Sequence, residues 1–552
     1  MKKTALKIFA AISLLFLADG FLMAQEGGNT TFSSAVQNYL MGDISKAKAG
    51  FEKAVKENPG DDAAWYYLGL CAIAEKDSQS AREYMNRAVS IDSTNYWYRE
   101  ALLGTYSPRE DIDLTIAQYE KLLRDFPKKT DRQYALVNLY ISAGNLDKAI
   151  VLLDEIEGRD GKNDGTVMAR SGILRNQNKI EESYQILKDY VSEYSSPYIL
   201  TILGEYEMGM YNDSTALAYF NEALSLEDAY LPAKIGKAET YRLTRKYQQY
   251  FDILKSIVAD VDEAPAAKAD YLTQVVRSTD ARFVNSFKTQ LDTVFTLMTD
   301  THPSDTTALQ TACAYNVYVG ETDKAAALAL KLCELYPQKA DFAYTYFQIL
   351  YRGEDWDAIS RAYKEFEPKF PDDALLIDFD AVAKYNKKDY RGVLEASMRQ
   401  LELAAGDSAK TLHALSSIGD MYHELGNNKE SYKAYEKALK INPNYAPVLN
   451  NYAWYLCQEG KQLKKAVKMS RKTIEQEPKN ATYLDTYAWI LHLTGNTLEA
   501  KLFLKQAMLY GGKESATIMK HYIVVLEALG EKDMADFYRG QLKSLPKGEG
   551  DE

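Results

Sequence analysis

A chain of 552 residues is longer than one ordinary domain, and its 66 lysines and arginines against 78 aspartates and glutamates leave a net charge of −12. That balance argues against a general binder of nucleic-acid backbones while leaving room for a local basic patch. Glycine (30) and proline (14) are sparse and tyrosine is abundant at 42, which suits helices packed through large aromatic side chains in an array that lengthens without enlarging its core.

Residues 1–25 place Lys2, Lys3 and Lys7 before the apolar run IFAAISLLFLA, and the polar stretch EGGNT follows. The segment reads as a secretory signal peptide cut near MAQ/EGG, with an uncleaved anchor as the alternative. The first cysteine is Cys71, so a lipid on a processed N-terminal cysteine is disfavoured. The short basic region and the Ala-Gln ending resemble bacterial leaders of the Bacteroidetes type. The expectation is therefore export across an inner membrane to the periplasm, with outer-membrane association left open and no later membrane-spanning segment.

From Phe32 onward the apolar residues recur at helical spacing between polar breaks. Ala47, Phe51 and Ala54 precede Pro59; Trp65, Leu68, Gly69, Ala81 and Ala88 follow; then Tyr98, Leu102, Tyr119 and Leu122 lead to Pro127. Tyr140, Gly144, Ala149 and Leu153 make another pair of helices, closed by the loop GRDGKNDG. A degenerate unit runs from Met168 to Tyr194, Leu203, Gly204, Ala216, Phe220 and Ala223 restore the pattern, and Ile235, Gly236, Tyr247 and Phe251 continue it. Residues 31–260 form a first block on this reading. In residues 261–305 Leu272, Val276, Phe283, Phe287, Leu291 and Phe295 still read as helices, but the glycine and alanine positions are absent, so the stretch is a divergent connector or a degenerate repeat. Residues 306–545 form a second block with a terminal cap, and 546–552 a polar tail. Within that block Pro337 and Pro371 recur at equal spacing, with Trp356, Ile359, Tyr363 and Phe366 between them.

The clearest unit is TLHALSSIGDMYHELGNNKESYKAYEKALKINPN, Thr411 to Asn444. Leu415, Ile418, Gly419 and Tyr422 share one helical face, Gly426 and Asn427 break it, and Tyr435, Ala438 and Leu439 form the matching face before Pro443. A hairpin of this kind cannot bury its own apolar faces and needs neighbours. Leu415, Ile418, Gly419, Tyr422, Gly426, Tyr435, Ala438 and Pro443 resemble the tetratricopeptide repeat, although Ser431 stands where that family usually has alanine. The resemblance spans about Phe32 to Leu545 in twelve to fourteen hairpins. It implies an all-α tetratricopeptide-repeat superhelical solenoid of antiparallel helix pairs, acting as a scaffold that binds a protein or peptide partner, with a role in envelope assembly open.

In that family the first helix of each pair lines the concave surface, so the resemblance marks its non-core residues as candidate contacts. In the reference unit these are His413, Asp420 and His423. The next two units supply Asn450 and Trp454, then Asp485, Trp489 and His492. Tyr134 and Asn138 are the equivalents near the start, and Tyr344 and Arg352 in the second block. Such a groove is rich in aromatic rings and amides, which suits an extended peptide or a helix. For Trp454 and Trp489 the alternative is packing between neighbouring first helices. The family's clamp for terminal carboxylates fits poorly, because Asn138, Asn450 and Arg352 do not form paired cations in consecutive units.

His423, Cys457 and His492 fall at equivalent positions in consecutive units and are of metal-ligating type. First helices roughly 8–10 Å apart cannot bring such a ladder within about 2 Å of one ion, so no metal and no cofactor is expected. Cys313 and Cys333 lie on opposite helices of one hairpin, which leaves a disulfide possible outside the cytoplasm. The motifs HExxH, GxSxG and GxxxxGK[ST] are missing, so no catalysis is expected. The alternative to a scaffold is an enzyme or ligand-delivery module with an unrecognised pocket.

Overall fold

The computed structural model describes residues 30–545 apart from residue 110. The expected leader 1–25 and tail 546–552 lie outside the described residues. Among the described residues all regular structure is helical, from Thr30–Leu40 to Lys532–Ser544, with one 3₁₀ turn at Gly512–Glu514 and no strand.

The polar breaks work as helix starts because a carboxylate or amide there accepts backbone N–H groups that have no partner within the helix. Asp61 accepts from the Ala64 N–H at 2.9 Å, Asp305 from Ala308 at 2.9 Å and Asp355 from Ala358 at 2.8 Å. At the turn inside a hairpin the chain passes through a left-handed residue. Gly426 takes this place in the reference unit at φ +74°, where a glycine has no Cβ to clash.

Glycines inside the first helices serve a different purpose. In the hairpin Ser408–Glu424 with Asn428–Ile441, a Cβ on Gly419 would lie 2.3 Å from the ring of Tyr435, which is fully buried. Gly204 and Gly236 both lie against Phe220, and Gly69 lies against Met85. A small residue on one helix thus receives a large one from the other, and this interdigitation fixes how closely the helices approach.

The chain divides into two compact units, one ending at Ile253 and the other beginning at Leu254. In the first, hairpins such as Asp62–Ala74 with Ser78–Ile91 and Pro197–Gly209 with Asp213–Leu226 pack in succession. The second opens with the helices Pro265–Ser278, Ala281–Ser286 and Lys288–Thr301. Pro265–Ser278 and Lys288–Thr301 both pack against Thr306–Tyr318. Lys268 is fully buried there, and its Nζ donates to the Asp260 carbonyl and, at 2.8 Å, to His302 Nε2. Burial, reinforced by the Lys268 charge, pulls the His302 pKa below its ordinary value.

All four cysteines are buried free thiols, so Cys313 and Cys333 are not joined. Cys313 packs with Ala325, Ala329 and Ile349, whereas Cys333 packs with Phe342, Phe347 and Phe366. Burial pushes each of these two thiols up to about 11.

Candidate functional site

Four successive first helices of the second unit, Ser408–Glu424, Ala446–Gln458, Ala481–Leu493 and Ala516–Ala528, each touch the next. Their shared side carries a row of polar and aromatic groups because the repeat register puts equivalent positions next to one another.

The row begins at Asp420. The Tyr435 hydroxyl donates to Asp420 Oδ1, and Asn451 Nδ2 donates to the same oxygen at 3.0 Å. Burial raises the Asp420 pKa, and these two hydrogen bonds only partly oppose it. Asn450 Nδ2 in turn donates to Asn451 Oδ1 at 3.3 Å. Asn450 is 6% exposed, and its Oδ1 is buried without a hydrogen-bond partner among the described residues. His423 stacks on Tyr455 with ring centres 3.5 Å apart, and its Nδ1 is likewise buried and unpartnered among the described residues.

Further along, His521 Nδ1 lies 2.9 Å from both carboxylate oxygens of Asp485, and both side chains are mostly buried. Trp489 stacks on the His521 ring at 4.1 Å, and Trp454 approaches it at 5.7 Å. The tryptophans therefore pack between neighbouring helices while remaining half-buried. His492 makes a 3.2 Å contact with Thr497 Oγ1, and burial with the nearby His521 pulls its pKa down. His413 is exposed and lies near Asp378, whose pKa burial raises and His413 opposes.

The other residues picked out by register lie elsewhere. In the first unit Tyr134 is half-buried and its hydroxyl accepts from Asn163 Nδ2 at 2.8 Å, while Asn138 is exposed. In the second unit the Tyr344 hydroxyl donates to Asp373, which also caps the helix Ala374–Asn386. Arg352 is exposed on the wall of a pocket of about 400 Å³. Register thus brought Asp420, His423, Asn450, Trp454, Asp485 and Trp489 onto one face, but His521, Asn451 and Tyr455 escaped it. His521 stands one repeat beyond Thr486 and two beyond Asn451, a register signal hidden by reading the final hairpin as a cap alone.

Three family profiles, each described as tetratricopeptide repeat, match residues 41–96, 109–170 and 386–547. The chain belongs to the tetratricopeptide-repeat family. Its helices pair antiparallel in the superhelical arrangement of that type, as the sequence led us to expect. This repeat is a non-catalytic protein-interaction module, and among the described residues no three His, Cys, Asp or Glu side chains are placed to hold a metal ion.

A stretch of 146 residues is 27% identical to the general transcriptional corepressor trfA of Dictyostelium discoideum. It covers 26% of this chain and only 9% of that protein. Among solved structures the chain is similar to one of Naa15/Naa10 bound to HypK-THB, at 13% identity and TM-score 0.33, covering 94% of this chain and 99% of the other. It is also similar to the APC/C hetero-tetramer Cut9-Hcn1, at 12% identity and TM-score 0.32, covering 87% and 86%.

The expected export to the periplasm, with outer-membrane association, does not stand. Among the described residues no helix is long and apolar enough to cross a membrane. The expectation rested on a short apolar run behind three lysines, on the polar stretch that follows and on an Ala-Gln ending that resembles bacterial leaders, all within residues 1–30.

Proposed function

We propose that this protein is a scaffold that holds an extended peptide segment of a protein partner along the first-helix face running from His413 to His521. The observation that carries this reading is the side-chain carbonyl of Asn450, buried and accepting no hydrogen bond among the described residues, on an amide that donates to Asn451 beside Asp420. An unsatisfied buried acceptor costs about 1–3 kcal/mol. A turn of the Asn450 side chain that brings this oxygen to the surface lets a peptide N–H recover much of that cost, which favours a ligand with backbone donors. The half-buried rings of Trp454 and Trp489 give such a segment further apolar contacts at little cost in rotamer freedom.

The test is crosslinking and co-purification of the full chain beside its Asn450→Ala and Trp454→Ala variants. Each variant is expected to recover at least tenfold less of a partner captured by the unaltered chain, with unchanged helicity by circular dichroism. Equal recovery by all three proteins removes these residues from the binding face.

A further inference from the structure

The second unit has a feature that the row around Asn450 does not absorb. Between the first helices Thr306–Tyr318 and Ala340–Arg352 lies the pocket of about 400 Å³. Cys313, Val317, Leu332, Phe342 and Ile349 form its apolar wall, and Arg352 stands on its margin. The size is at the lower end of the range for ligand sites, about 300–1,000 Å³, and an apolar cleft with a few convergent polar groups is the usual form of such a site.

Arg352 gives the pocket a chemical preference. In this acidic chain many arginines are held by carboxylates, as Arg170 is by Asp154 and Glu157 and Arg399 is by Glu367 and Asp372. Arg352 has no ion-pair partner among the described residues, although it is exposed beside an apolar hollow. A guanidinium presents a planar fork that matches a carboxylate. No second cation lines the pocket, so the surroundings suit the single fork contact of an acidic side chain better than a chain terminus held by several cations.

We infer that this pocket seats a leucine or aromatic side chain of a protein partner, with a nearby glutamate or aspartate of the same segment paired to Arg352. The apolar wall supplies affinity by removing the anchor from water, and the arginine selects segments with an acid beside that anchor. The inference does not depend on the row around Asn450, which lies on other helices.

The experiment screens the full chain against a library of nine-residue peptides, acetylated and amidated at their ends, with varied apolar and charged positions. Peptides carrying leucine, phenylalanine or tryptophan within four residues of glutamate or aspartate are expected to be enriched at least tenfold over scrambled sequences. Ala314→Trp, an exposed position on the pocket lining, should remove that enrichment. Arg352→Glu should keep the apolar anchor and shift the charged preference to lysine or arginine. If Ala314→Trp lowers helicity, Thr345→Trp on the same lining replaces it. Absence of enrichment, enrichment that survives filling of the pocket, or an unchanged preference in Arg352→Glu each overturns the inference. So does loss of the same peptides in Asn450→Ala with their retention in Ala314→Trp, which would assign them to the other face.

Discussion

Two arginines on first helices show how differently one residue type is used in the two units. In the first unit Arg132 lies in the wall of a pocket of about 280 Å³ together with Glu100, Tyr106 and Tyr119. Its Nε donates to Glu100 Oε2 at 3.1 Å, a terminal nitrogen reaches the other oxygen, and the Tyr96 hydroxyl donates to the same carboxylate. Burial opposes the charge on Arg132, but the bonds to Glu100 and Tyr96 outweigh it and raise its pKa. In the second unit Arg352 also borders a pocket and has no such carboxylate among the described residues. The first arginine is spent on the fold, and the second is left available to a ligand. Position on the first helix therefore does not define a binding residue; what matters is whether the chain has already satisfied it.

Removing the internal partner gives the largest expected effect. Glu100→Ala strands a guanidinium whose side chain is 32% exposed, and it should lower stability by about 2 kcal/mol, because loss of a charged hydrogen-bonding partner leaves the other group incompletely paired. Arg352→Ala should stay within about 0.5 kcal/mol, as surface substitutions usually do. Urea unfolding of the two variants checks the contrast. Equal losses would mean that Arg352 has an internal role and would break the comparison.

Asp420 sharpens it, since this carboxylate is held inside the structure by neutral groups alone. Burial raises its pKa above the ordinary aspartate range, with Tyr435 and Asn451 in partial opposition. A carboxyl with a raised folded-state pKa binds its proton more tightly when folded. Its contribution to stability is thus fully present below the unfolded-state pKa and falls as pH rises through the folded-state value. Asp420→Asn keeps an acceptor for both donors and removes the charge. It should stabilise the protein at neutral pH by about 1 kcal/mol, an ordinary size for a single substitution, and the gain should disappear as the medium is acidified below the aspartate range. Unfolding curves at pH 7 and pH 3 measure this. A gain that persists at low pH would show that charge is not its cause.

The same contrast explains what was legible in the sequence. Gly419, Tyr435 and Pro443 announced the fold because each meets a local steric demand that recurs at a fixed interval, and the 2.3 Å that a Cβ on Gly419 would leave to Tyr435 is that demand seen in space. The register also gathered Asn450, Trp454, Asp485 and Trp489 on one face. It could not show that Asp485 is taken up by His521, or that Tyr344 bonds to Asp373. Those pairings join residues in different repeats, and they depend on how the hairpins stack rather than on spacing within one. Export was inferred from the leader's lysines, apolar run and Ala-Gln ending, without a structural demand of this kind behind it.

The turns within the hairpins carry the comparison to its smallest scale. Gly426 makes its turn at φ +74° without a Cβ, whereas Tyr211 makes the corresponding turn between Pro197–Gly209 and Asp213–Leu226 at φ 61°. An L-residue in that region carries about 1–2 kcal/mol of steric cost. Tyr211 is 87% exposed, so its ring regains little of that cost by packing. Tyr211→Gly relieves the strain but gives the unfolded chain more freedom, an opposing term of about 0.4–1 kcal/mol. The net expectation is a gain of about 0.5 kcal/mol in urea unfolding, with helicity unchanged. A loss of stability would show instead that the exposed Tyr211 ring makes a packing contribution larger than the strain it imposes, and this turn would then belong with the groups the fold has already used.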